Sequence, residues 1–197
     1  MAAFPGFERF YLLRGRWTNV FHANIGLSTE QAFPVLRAEM PVDEAVSVRW
    51  VSGRRKPQDF IWTSFVVPIV VSAKVLATLH ALSATGWASY KVDVRGADDE
   101  HVPGYAGLSV RGRCGPIRHD RGVPVQKEYP GGIYTVYLGY LFDEHSWDGS
   151  DLFVSEDGSG TVFVSQRVRD AFVKAKVTGV TMDRADLAQQ PGGHRQT

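Results

Sequence analysis

Two stretches decide the fold: IVVSAKVLATLHALSATG, from Ile69 to Gly86, and VFVSQRVRDAFVKAKVTG, from Val162 to Gly179. In both, an apolar triplet runs into a serine (Ser72, Ser165), and a Thr-Gly pair follows with the threonine 13 positions after the serine. The two copies are offset by 93. Val75 aligns with Val168, Leu79 with Phe172 and Leu82 with Ala175, the positions a helix would turn towards a core. Each copy therefore predicts a strand, a short amphipathic helix and a returning strand. The serine hydroxyl is expected to accept a hydrogen bond from a first-turn amide, and Gly86 and Gly179 to end the helices at a positive φ. A period of 93 is too long for a solenoid, so two copies suggest a duplicated subdomain or one motif used twice.

Working outward, Glu8–Arg14 (ERFYLLR) reads as a first strand, and Ser28-Thr29-Glu30-Gln31 as a capped helix start in which Pro34 fits only within the first turn. Val46–Val51 reads as a strand, Ser52–Pro57 as a loop with three adjacent solvated cations, and Trp87–Val94 alternates like one half-buried strand. The Gly-rich segment Val102–Gly115 reads as strands and turns, because no Gly-Lys-Ser/Thr ending or following helix makes it a phosphate loop. Ile133–Phe142 (IYTVYLGYLF) is β-branched and aromatic throughout, as a strand buried on both faces would be. Together these predict an α+β fold: mixed or antiparallel sheets with about three short helices and a repeated strand-helix-strand unit. One domain is expected over residues 1–186, with possible subdomains 1–60, 61–127 and 128–186, followed by a flexible tail over 187–197.

The chain has 197 residues, 44% hydrophobic and 12% aromatic, enough for a packed core. No run approaches the roughly 20 apolar residues of a membrane helix, and the first ten residues lack a basic start followed by an apolar run. A protein without membrane attachment, in a cytoplasmic setting, is the expectation. A single cysteine, Cys114, excludes an internal disulfide and a multi-cysteine zinc site within one chain.

The net charge of +1 conceals a block structure. Between Glu128 and Gln166 there is no Lys or Arg, while seven carboxylates fall in that window. Such a block favours encounter with a basic partner and disfavours nucleic acid. Its richest part, Asp143–Asp151, sets Trp147 among acids but lacks the spacing and closing Glu of a calcium loop. An aromatic anchor ringed by carboxylates suits docking onto a basic protein surface. The predicted partner-binding residues are Asp143, Glu144, Trp147, Asp148, Asp151, Glu156 and Asp157.

Catalytic signatures are missing: there is no G-x-S-x-G, no H-E-x-x-H, no Walker loop and no dinucleotide fingerprint. The six histidines are dispersed. The expectation is a non-catalytic chain without cofactor or metal. An unrecognised enzyme would have to use Cys114, His119 or Asp120 in a cleft, and a structural module would have to self-associate through Ile133–Phe142.

The run Trp147-Asp148-Gly149-Ser150-Asp151-Leu152-Phe153, then Val-Ser, a helix and Thr178-Gly179-Val180, resembles the C-terminal half of bacterial immunity proteins that accompany polymorphic toxins, in particular the double-CxxCG immunity family and its relatives. With Asp59-Phe60-Ile61-Trp62 and the first copy included, the resemblance covers roughly residues 59–183. Only Arg113-Cys114-Gly115 echoes a C-x-x-C-G end, so a metal site of that group is not expected. The resemblance implies a cytoplasmic protein that binds and neutralises a cognate toxin, and toxins with a basic surface would meet the acidic block.

Overall fold

A computed structural model describes residues 4–16, 20–63, 69–130, 132–190 and 194–195. In chain order the elements are β1 (Phe10–Gly15), β2 (Phe21–Ile25), α1 (Thr29–Leu36), β3 (Val46–Gly53), β4 (Phe60–Thr63), β5 (Ile69–Ser72), α2 (Ala73–Ala81), β6 (Trp87–Tyr90), β7 (Val92–Arg95), β8 (Tyr105–Val110), β9 (Gly112–Cys114), β10 (Val123–Tyr129), β11 (Gly132–Leu138), β12 (Leu152–Ser155), β13 (Val162–Ser165), α3 (Gln166–Lys174), β14 (Val180–Arg184) and β15 (His194–Arg195). The fold is α+β. Among the described residues the strands form a five-stranded sheet ordered β14-β1-β13-β12-β9, a seven-stranded sheet ordered β6-β8-β5-β4-β2-β3-β7, and a small sheet ordered β10-β11-β15.

The first two sheets share a pattern of pairing. β4 and β5 are antiparallel, β5 and β6 both pair antiparallel with β8, and β4 runs parallel to β2. β12 and β13 are likewise antiparallel, β13 and β14 both pair antiparallel with β1, and β12 runs parallel to β9. Position for position, β14-β1-β13-β12-β9 corresponds to β6-β8-β5-β4-β2. The seven-stranded sheet is the contiguous run β2 to β8, whereas the five-stranded sheet takes β1 from the start of the chain to join β9, β12, β13 and β14.

The largest apolar cluster joins the buried faces of the two helices, Val75 and Leu79 on α2 and Val168 and Phe172 on α3, to Phe60, Trp62, Val71 and Val164. Trp62 Nε1 donates to the Gly179 carbonyl at 2.6 Å, so the indole is buried with its polar atom satisfied. A second cluster, rich in phenylalanines, brings Phe10, Phe142, Phe153 and Phe163 together edge-on, tilted or stacked at 5.1–5.6 Å.

Several expectations change. Ser72 and Ser165 occupy the N-cap positions in extended conformation, but neither accepts a hydrogen bond from its helix; their hydroxyls donate elsewhere, as described below. The helices end at left-handed Ser83 and Lys176, not at glycine. Their termini close through Ala84 N–H on the Leu79 carbonyl and Val177 N–H on that of Phe172, both at 2.9–3.0 Å. Gly86 and Gly179 instead open the returning strands, with φ of 81° and 83°. At α1 the capping box is present, Ser28 and Gln31 exchanging bonds at 3.0 and 3.3 Å. Pro34 lies beyond its first turn, and the helix stops two residues later.

The segment 87–94 is not one strand. It breaks at Lys91, and β6 and β7 take opposite edges of the seven-stranded sheet. Nor is Ile133–Phe142 buried on both faces. Within β11 only Val136 is buried, and Ile133 is 52% exposed. The apolar burial falls on Tyr140, Leu141 and Phe142, beyond the strand's end. Residues 187–190, expected in the tail, are held in place: Gln190 is buried, and its Nε2 donates to the Gly139 carbonyl at 2.6 Å. Residues 191–193 and 196–197 lie outside the described residues.

Candidate functional site

The seven residues expected to bind a partner divide by what their side chains already do. Asp151 is buried and cannot touch a partner. One of its carboxylate oxygens accepts from the Ser165 hydroxyl at 2.8 Å, and the other from Thr85 N–H at 3.0 Å. Its own amide donates to Thr85 Oγ1 at 3.2 Å. Trp147 is not a free anchor either. Its ring packs edge-on against Phe10 at 5.0 Å and beside Phe153 at 5.6 Å, Nε1 donates to the Ser150 carbonyl at 3.0 Å, and the Arg9 guanidinium covers it at 5.3 Å. Glu144 is half-buried and paired with Arg9 at 3.0 Å.

The other four, Asp143, Asp148, Glu156 and Asp157, are exposed; the fold brings Asp148, Glu156 and Asp157 to the two sides of one segment, residues 113–117, while the Asp143 carboxylate accepts from His145 N–H. On one side, Asp148 accepts from Arg113 N–H at 2.8 Å and returns its own amide to the Arg113 carbonyl at 3.1 Å, while Ser146 Oγ accepts from Gly115 N–H at 2.8 Å. On the other, Glu156 N–H donates to the Cys114 carbonyl at 3.1 Å, and Asp157 accepts from Ile117 N–H at 3.3 Å. Among the described residues none of these four carboxylates forms an ion pair. The Arg113 side chain turns away to the carbonyls of Val110, Gly112 and Arg37.

Charge at this face is felt locally. Burial, followed by the fields of Asp157, Glu156 and Asp148, pushes the Cys114 thiol up to about 12. Asp157 is held below the ordinary carboxylate range. Burial works against its charge, but bonds from Ser155, Ser159 and the Ile117 amide outweigh it. Asp157 is thus both a charge on the face and the brace of its own turn.

The three groups that an unrecognised enzyme would have to use do not converge. Cys114 is fully buried in the phenylalanine cluster, where a thiolate has no water and no cation to stabilise it. His119 is exposed, with Nδ1 on Gln190 Oε1 at 2.8 Å, and Asp120 is clamped by Arg118 at 2.9–3.0 Å. The three groups face different partners. No group of three or more His, Cys, Asp or Glu residues placed to hold a metal occurs among the described residues.

Residues the sequence reading passed over prove to be the best-organised polar sites. Asp59 Oδ1 accepts from the Ser72 hydroxyl at 2.8 Å, and Oδ2 from Thr178 N–H and Oγ1, both at 2.8 Å. Its amide donates to Thr178 Oγ1 at 3.1 Å. This is the arrangement of Asp151 with Ser165 and Thr85, and in each case the threonine comes from the other half of the chain. The signal was present, since Asp59-Phe60 and Asp151-Leu152 both precede their serines, but 13 positions separate the pair in one copy and 14 in the other. A fixed offset of 93 steps over it.

Among the described residues no helix is long and apolar enough to cross a membrane. Comparison of the sequence with protein-family models and with curated proteins gave no match.

Proposed function

We propose that this chain is a non-catalytic binding protein of the immunity type, which neutralises a cognate bacterial toxin by presenting the acidic face around residues 113–117 to a basic surface. The observation that carries this reading is the convergence of Asp148, Glu156 and Asp157 from two loops onto one segment, with Asp143 in the same loop as Asp148, all four exposed and without an ion pair among the described residues. Asp148 and Asp157, held by backbone amides, lose little further freedom on docking, and unpaired carboxylates accelerate encounter with a cationic protein. Trp147 supports the face from beneath, and Asp151 belongs to the scaffold.

The test uses substitutions that spare the braces. Glu156 makes no side-chain hydrogen bond among the described residues, and Glu144 has only Arg9. Glu144→Lys combined with Glu156→Lys should therefore leave the melting temperature within about 2 °C while weakening association with the toxin domain encoded beside the gene at least tenfold at low salt. Protection of cells expressing that domain should fall in parallel. Unchanged binding and unchanged protection by the doubly reversed protein would remove the acidic face from the reading, and a neighbouring frame whose product does not bind would remove the reading itself.

A further inference from the structure

A second charged surface is built on other elements than the acidic face. Four cations on four different elements, against a single carboxylate, Asp183, line one open groove of about 550 Å³: Arg14 on β1, Lys127 on β10, Arg169 on α3 and Arg184 on β14. Arg169 and Arg184 have carboxylates of their own in Asp170 and Asp186. Arg14 and Lys127 have none among the described residues. Both are positioned by one side chain and its backbone: Lys127 Nζ donates to Gln189 Oε1 at 2.6 Å, and the Arg14 guanidinium, laid over Tyr140 at 5.1 Å, reaches the Gln189 carbonyl at 3.5 Å. Two cations are thus pre-placed without neutralisation.

The groove is not a simple anion hole. Leu138, Met182 and Leu187 give its walls apolar surface, Leu187 being 39% exposed. Through Gln189 it continues into a smaller hollow formed by Tyr129, Tyr134 and Val136, where the two tyrosine rings meet edge-on at 5.7 Å. A single phosphate or carboxylate would neutralise the cations and leave this apolar length wet. An extended chain that carries carboxylates and ends in an aromatic side chain satisfies both parts.

We infer that the groove from Arg14 and Lys127 to Tyr129 is a docking site for an acidic peptide segment of a partner protein, separate from the acidic face. The probe is a fluorescein-labelled peptide of eight glutamates with one tryptophan at its end, titrated against the full-length protein by fluorescence anisotropy. Binding is expected, weakened at least tenfold by Arg14→Gln combined with Lys127→Gln and by 0.5 M NaCl. Lys127→Glu, at an exposed position, should have the same direction with an unchanged melting temperature, which separates loss of the site from loss of the fold. Glu144→Lys with Glu156→Lys should not weaken the peptide, so the two surfaces fail or stand independently. No peptide binding, equal affinity in the Arg14 and Lys127 variants, or displacement by inorganic tripolyphosphate at lower concentration than by unlabelled peptide would overturn the inference.

Discussion

Asp59 and Asp151 hold the same kind of knot in two different settings. Each takes a serine hydroxyl on one oxygen and a threonine from the opposite half on the other, and each has a cation from the first turn of the adjacent helix. Lys74 stands 2.7 Å from Asp59, and Arg167 stands 3.4 Å from Asp151. Those cations also reach across: Lys74 Nζ donates to the Lys176 carbonyl at 3.1 Å, and Arg167 to that of Leu82. A cation in a first turn opposes its own helix dipole, but here it serves the C-terminal end of the neighbouring helix. The difference in burial is modest: the side chains are 8% exposed at Asp151 and 12% at Asp59, while the residue as a whole is buried at Asp151 and half-buried at Asp59, so similar bonds carry somewhat different penalties when broken.

The largest effect should follow from Asp151→Ala, which strands the Thr85 and Ser165 donors and loosens the junction of α3 with the opposite half. A loss of about 3 kcal/mol is expected in urea denaturation. If it matched Asp59→Ala to within a few tenths of a kcal/mol, burial would not be what distinguishes the knots.

Asp59→Ala should cost less, about 2 kcal/mol, because water can reach the stranded groups. It also carries a pH signature. Burial alone would raise the Asp59 carboxyl, but bonds from Lys74, Thr178 and Ser72 hold it below the ordinary aspartate value. A folded pKa below the unfolded one means the contribution is complete above the unfolded aspartate range, about 3.9, and is lost as pH falls through the lower folded value. Wild-type stability should thus drop on acidification below about pH 4, and Asp59→Asn should flatten that limb in denaturation series collected from pH 5 to pH 2.

The glycines after the threonines offer an independent break. Gly86 has positive φ, and a Cβ there would strike the Leu152 carbonyl; at Gly179 it would strike that of Phe60. Those carbonyls begin β12 and β4, next to Asp151 and Asp59. Gly86→Ala should cost about 2 kcal/mol through backbone strain and displacement of that contact, read as a fall in the urea midpoint with an unchanged slope.

How far the sequence reaches can be judged from these same residues. Serine, threonine and the apolar helix positions recur at a constant offset, so the helices α2 and α3 and the α+β class were legible. The partner of each serine was not, because local periodicity predicts a cap within a helix, whereas an aspartate 13 or 14 residues upstream offers a charged acceptor that outcompetes the neutral first-turn amide contact. The insertion of β1 between β13 and β14 was hidden for a related reason: which strand pairs with β13 depends on long-range packing that alternation does not encode. At the acidic face, composition located the block correctly along the chain but could not tell a carboxylate facing solvent, such as Glu156, from one consumed in the scaffold, such as Asp151. The basic groove draws Arg14, Lys127, Arg169 and Arg184 from positions up to 170 apart in the chain, and no window contains them.

Ser165→Ala and Ser72→Ala should fall next, about 1 kcal/mol each, since each removes one charge-assisted bond while the aspartate keeps its threonine. The smallest effects belong to the cations. Lys74 and Arg167 are roughly half exposed, so Lys74→Ala and Arg167→Ala should each cost about 0.5 kcal/mol and less in high salt. Their value as a pair is diagnostic. Each cation ties the start of one helix to the end of the other, so the double variant should exceed the sum of the singles only if the two helix ends move together. A non-additive term above about 0.5 kcal/mol in a double-mutant cycle would mean that α2 and α3 respond as one unit, and additivity would mean that each knot closes on its own.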